Sequence, residues 1–164
     1  MFVRGVSIDE VLRFVPHDRV IAPQGDVSAI EAWAASPEDR LYVATSGGWS
    51  QLWEPERSFA FELDEVIYHQ EPEIELLRQT RALCVDFDSA ASRYAFKLFD
   101  DAEMIRHARY DSGRLSIAEG TPLPIESAYT PPRWGHDEDF LWSVIREVTG
   151  LAQDESLRYR AYSV

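Results

Sequence analysis

At 164 residues the chain is long enough for one domain with its own core, and 45% hydrophobic with 12% aromatic residues supplies the material for it. Its 29 acidic against 16 basic residues give a formal charge of -13, which argues against a general binder of phosphate backbones and makes a basic partner easier to accommodate. The single cysteine, Cys84, excludes an internal disulfide and a multi-cysteine zinc site and fits a reducing compartment.

The first ten residues show neither a signal-peptide core nor a cleavage pattern, and no apolar run approaches a bilayer span, so a cytoplasmic, membrane-free domain over residues 1–164 is expected. Ser7-Ile-Asp-Glu10 matches a capping box and predicts a short helix with Val11, Leu12, Phe14 and Val15 on its apolar side, stopped by Pro16. A loop through Pro23 and Gly25 is expected next. Asp26 or Ser28 then caps a second helix, 29–35, ending near Ser36-Pro37.

The clearest local signal is Gly47-Gly48, which permits a tight reversal between Leu41–Ser46 and Trp49–Glu54 and predicts a hairpin carrying Trp49, Gln51 and Trp53 on one side. Phe59, Phe61 and Leu63 alternate as a third strand. Pro72 opens a brief helix through Gln79. Alternation returns at Leu83, Val85 and Phe87, then at Tyr94, Phe96 and Leu98, followed by a strand over 103–110, a three-residue loop at Asp111-Ser112-Gly113 and a strand over 115–119. Pro122 to Pro132 reads as irregular and extended. A helix over 137–149 has acidic residues at its start, Gly150 at its end and a stripe of Phe140, Leu141, Val144, Ile145 and Val148; Leu157–Val164 is a last strand or an ordered tail. The fold class this implies is α+β: a twisted antiparallel meander sheet, covered on one face by the N-terminal helices and the C-terminal helix.

His17, His69, His107 and His136 form no recognisable catalytic signature, and phosphate-loop, dinucleotide and nucleophile-elbow motifs are absent. Cys84 reads as a packed thiol within a strand. His136-Asp137 and His69-x-Glu71 lack the convergence a metal needs, so no metal and no cofactor is expected, and helix capping is the favoured role of Asp137. Asp86 and Asp88 share one strand face with Arg93 across the turn; a solvated salt bridge is favoured over a paired-acid site. Trp49 and Trp53 are read first as core, with an exposed aromatic patch rimmed by Glu54 and Glu56 as the sharper alternative, and Trp134 either recognises a partner or pins its loop.

Gly48-Trp49-Ser50, Glu54-Pro55, the strand-rich middle and Arg133-Trp134-Gly135 before the last helix resemble small bacterial domains of unknown function, some of them similar to immunity proteins of polymorphic toxin systems, over Leu41–Leu151. The resemblance implies an α+β binding protein and carries over no catalytic residue. The leading expectation is a non-enzymatic acidic protein that neutralises a protein partner such as a basic toxin, through Trp49, Trp53, Glu54, Glu56, Trp134 and Asp137. A small-molecule-binding or hydrolytic domain, with a pocket between the sheet and the Pro-rich loop, is the alternative; a DNA mimic ranks third.

Overall fold

The structure, a computed structural model, describes residues 1–15, 22–34, 40–54 and 74–163. The glycine hairpin is present: β3 (Arg40–Ser46) and β4 (Trp49–Trp53) pair from Ser46 with Trp49 to Tyr42 with Trp53. Gly47 and Gly48 turn at φ of 55° and 78°, the left-handed pair whose twist matches the flanking strands. The expected strand Phe59–Leu63, the end of the second helix at Ser36-Pro37, Glu56, His17, His69 and Glu71 lie outside the described residues.

Seven more strands join this hairpin: β1 (Phe2–Arg4), β2 (Ala22–Ser28), β5 (Arg81–Asp88), β6 (Arg93–Asp100), β7 (Glu103–Asp111), β8 (Arg114–Gly120) and β9 (Arg158–Ser163). The order is β2-β9-β3-β4-β1-β5-β6-β7-β8, and every neighbouring pair is antiparallel. Strands β5 to β8 form the expected meander, and the α+β antiparallel class is as the sequence implies. Two connections differ from expectation. The β7–β8 loop has two residues, Ser112 and Gly113, because Asp111 already pairs with Arg114. The stretch read as a loop through Pro23 and Gly25 is β2, an edge strand whose register shifts between those residues, where proline's missing donor is tolerated.

Capping boxes open the first two helices. Ser7 and Glu10 bond reciprocally ahead of α1 (Ile8–Val11), and Ser28, not Asp26, does the same with Glu31 at 2.7 and 3.2 Å ahead of α2 (Ala29–Ala34). Short α3 (Ile74–Leu77) precedes β5; α4 (Pro124–Ala128) forms inside the Pro-rich stretch, with Pro124 in the first turn where its absent N–H is no loss. Helix α5 (Glu138–Thr149) ends on Gly150 at φ 74°. No helix among the described residues is long and apolar enough to cross a membrane.

The helices divide between the two faces of the sheet. Phe140, Leu141, Val144 and Ile145 of α5 pack on Phe2, Leu83, Phe96, Leu98 and Ala108, and α2 covers the same face farther along at Tyr42, Ala44, Tyr159 and Ala161. On the opposite face, Val11, Val15 and Leu77 pack against Val3, Leu41, Val43, Leu52, Ala82 and Cys84. Helical periodicity shows which side of a helix is apolar but not which sheet face will take it.

One buried ion pair anchors α4. Arg106, 2% exposed, donates Nε and Nη2 to the Glu126 carboxylate at 2.9 and 2.5 Å, while Nη1 donates to the carbonyls of Glu119 and Gly120. Glu126 also accepts the Leu123 N–H at 2.7 Å. Removing one partner leaves the other charge buried and uncompensated. Glu126→Ala is therefore expected to cost about 3–5 kcal/mol in chemical denaturation; a loss no larger than that of an exposed glutamate would contradict this role.

Candidate binding site

Three observations locate a site at the centre of the sheet. The first is a length mismatch: β1 has three residues, whereas β4 and β5 on either side of it have five and eight. Its pairing with β4 sets Phe2 opposite Gln51, its pairing with β5 sets Phe2 opposite Leu83, and Met1 closes the row by exchanging backbone bonds with Leu52 at 2.7 and 2.8 Å. Continuing that register puts Trp53 level with Val85 and Glu54 level with Asp86, with no strand between them among the described residues. Two inter-strand spacings of about 4.8 Å make this slot about one strand wide.

The second observation is the cavity there, about 560 Å³, within the size range of ligand sites. Its lining comes from both faces of the sheet, as a gap between strands requires. Side-chain alternation puts Trp53, Val85 and Phe87 on the face covered by α2 and α5, where Trp33 and Trp142 meet them. Trp142 lies 5.5 Å from Trp33 and 5.7 Å from both Trp53 and Phe87, centroid to centroid. Gln51 fixes this wall from below: its buried amide oxygen accepts the Tyr159 hydroxyl at 2.7 Å and the Trp53 indole N–H at 3.3 Å. The polar residue that made the parity of Trp49, Gln51 and Trp53 ambiguous is thus a satisfied core amide.

The third is the charge of the other face. Alternation places Glu54, Asp86 and Asp88 there, while Glu138, at the start of α5, adds a carboxylate from the aromatic side. Among the described lining residues the one guanidinium is that of Arg93 on β6, which bonds Asp86 at 3.2 Å and Asp88 at 2.9 Å. Burial raises the Asp86 carboxyl above its ordinary range despite Arg93, so its ionised form is poorly solvated. At the closed end, burial lowers the Met1 amine to about 6, leaving it mostly neutral at pH 7.

The sequence-derived site residues separate into three groups. Trp53 and Glu54 line the slot. Trp49 is 5% exposed and packs beneath α5, which removes it from any binding surface. Trp134 and Asp137 lie in the loop that joins α4 to α5. Asp137 occupies the N-cap position of α5 but makes no capping bond, contrary to expectation, because its two oxygens accept the Tyr129 hydroxyl and the Trp134 indole N–H, each at 2.9 Å. Burial, then the bond to Asp137, pushes the Tyr129 hydroxyl up to about 12. His136 stacks on Tyr110 at 4.2 Å and is packed by aromatics, and among the described residues no group of three or more potential ligands could hold a metal. The salt-bridge reading of Asp86, Asp88 and Arg93 matches the geometry, and Cys84 is buried. Trp33, Trp142 and Phe87 were not singled out from the sequence; each sits on a different element, and only long-range packing assembles them.

No protein-family model, curated protein or solved structure matches the chain.

The Trp134 loop rests on a close contact between two backbones. Gly113, at φ 75°, lies so near the Trp134 carbonyl and Gly135 that a Cβ would collide with both, whereas a Cβ at Gly48, also at positive φ, would meet nothing. Gly48→Ala should cost about 1–2 kcal/mol, the conformational penalty alone. Gly113→Ala should cost clearly more in the same denaturation assay and move the Trp134 indole resonance; equal costs would contradict the contact.

Proposed function

We propose that the protein acts by binding a basic protein partner, without turning it over, and that the slot beside Trp53 and Glu54 is where the partner's cationic group enters. The observation that carries this reading is the pairing of an aromatic wall with the carboxylates of Glu54, Asp86, Asp88 and Glu138 among the described residues of one cavity. Aromatic rings attract cations through their quadrupole and carboxylates attract them directly, and both act more strongly where water is reduced. The net charge of -13 supports the same partner by speeding encounter. In this reading the protein is an intracellular immunity protein that blocks a toxin by occlusion, in keeping with the resemblance of its hairpin and Trp134 motifs to such proteins.

A second reading has one specific observation in its favour. The cavity volume, about 560 Å³, also suits a small organic cation held without a protein partner.

The test is titration of the purified protein with the product of the neighbouring gene. The expected result is a complex at micromolar concentration, weakened by salt, with Glu54→Arg lowering affinity at least about tenfold, chiefly through slower association. If no complex forms with that product, the neutralisation reading loses its ground.

A further inference from the structure

The two edges of the sheet are built differently. Strand β2 carries Pro23, which has no N–H to offer a further strand, and a register shift beside it. Strand β8 contains no proline, and six of its seven residues, all but Ile117, are exposed. On its outer side β8 has no strand partner among the described residues. An exposed edge of this kind is a template for another strand.

A bulge decides what β8 presents. Arg109 pairs with Ile117 and Tyr110 with Leu115, so Ser116 is an extra residue, its hydroxyl tied to the Arg109 carbonyl and the Asp111 carboxylate. Cross-strand partners share a face. Ala108 and Tyr110 lie under α5, which puts Ala118 and Leu115 on that side, together with Gly120 opposite Arg106. Asp111, Arg109 and His107 set Arg114, Ile117 and Glu119 on the other side. Without the bulge, Arg114 and Glu119 would project from opposite faces. Each face of β8 therefore has two unlike ends. The α5 face starts with Leu115, 50% exposed, and ends with Ala118 and Gly120; the other starts with Arg114 and ends with Glu119. Arg114 has no ion-pair partner among the described residues, and Glu119, whose side chain is 62% exposed, lies 3.3 Å from His107.

We propose that β8 is a self-association edge, which pairs antiparallel with β8 of a second copy of this chain and joins two sheets into one. A two-fold axis normal to the sheet relates such copies and keeps each face on its own side. The start of one β8 then runs beside the end of the other. Arg114 of each copy meets Glu119 of the other, and Leu115 of each lies by Ala118 and Gly120, whose small size leaves it room. The strand carries one basic and one acidic residue, so the contact itself does not share the chain's net charge of -13. At physiological salt a screening length of about 8 Å limits repulsion between the rest of the two copies. Because β8 stands three places from β5 in the strand order, self-association and partner binding use different surfaces.

The test is sedimentation of the full chain from about 10 µM to about 1 mM in about 0.15 M salt. A monomer–dimer equilibrium is expected. Arg114→Glu or Glu119→Arg alone should weaken it at least about tenfold, since each reversal acts twice by symmetry. Mixing the two single variants, each shown to be folded by its amide spectrum, should restore association, because both like-charge contacts then become opposite-charge ones. A folding defect would not be repaired by mixing. In the unaltered chain, hydrogen exchange of the Arg114–Gly120 amides should slow as protein concentration rises. A monomer throughout the concentration range, folded single variants that do not associate when mixed, or a dimer whose β8 amides exchange at the same rate at all concentrations would each overturn the proposal.

Discussion

Among the described residues the sheet has nine strands, and the one at its centre, β1, is shorter than the two strands it joins. The constraint begins with Phe2 and Val3, which are 1% and 0% exposed and bury one side chain in each layer of the core. Those two residues fix β1 in place. The Met1 amine and carbonyl, both bonded to Leu52, extend its pairing by one residue. Past that row β4 and β5 carry Trp53, Glu54 and Val85–Asp88 beyond the described end of β1, and these residues line the cavity.

The two faces of the sheet give that space its chemistry. Helices α2 and α5 cover one face and bring Trp33 and Trp142 to Trp53 and Phe87, so this side is aromatic. The other face carries Glu54, Asp86 and Asp88 near the slot. Neither feature alone would identify a ligand. Aromatic clusters are ordinary core, and exposed carboxylates are ordinary surface. The cavity brings the two together, with alternation along the strands separating the two chemistries. The Trp134 loop is a different construction: there a carboxylate, a phenol and two glycines hold one exposed ring, 66% accessible, in a fixed orientation.

Much of the fold was legible because its signals are local. Gly47-Gly48 fixed a turn, Ser7 with Glu10 a helix start, and the spacing of Phe140, Leu141, Val144 and Ile145 the buried side of α5. Alternation located β5 to β8. What could not be read depends on contacts distant in sequence. Phe2-Val3 is too short to announce a strand and becomes one only between Gln51 and Leu83. Pro23 and Gly25 look like loop residues until β9 supplies an edge to pair with. Asp137 has the ideal chemistry for a cap, yet the Tyr129 hydroxyl and the Trp134 indole claim both oxygens. Of the site, Trp53 and Glu54 were visible as neighbours on one hairpin, but the rest of the wall comes from three other elements, and no local period records their convergence.

The central claim is that the slot, and not the Trp134 loop, receives the partner. The most direct measurement is the set of five indole N–H resonances, one for each tryptophan, followed by NMR as the neighbouring gene's product is added to saturation. Trp33, Trp53 and Trp142 should shift together while Trp49, buried beneath α5, and Trp134, on its separate loop, stay in place. Movement of Trp134 alone, with the three slot indoles unchanged, would contradict the account.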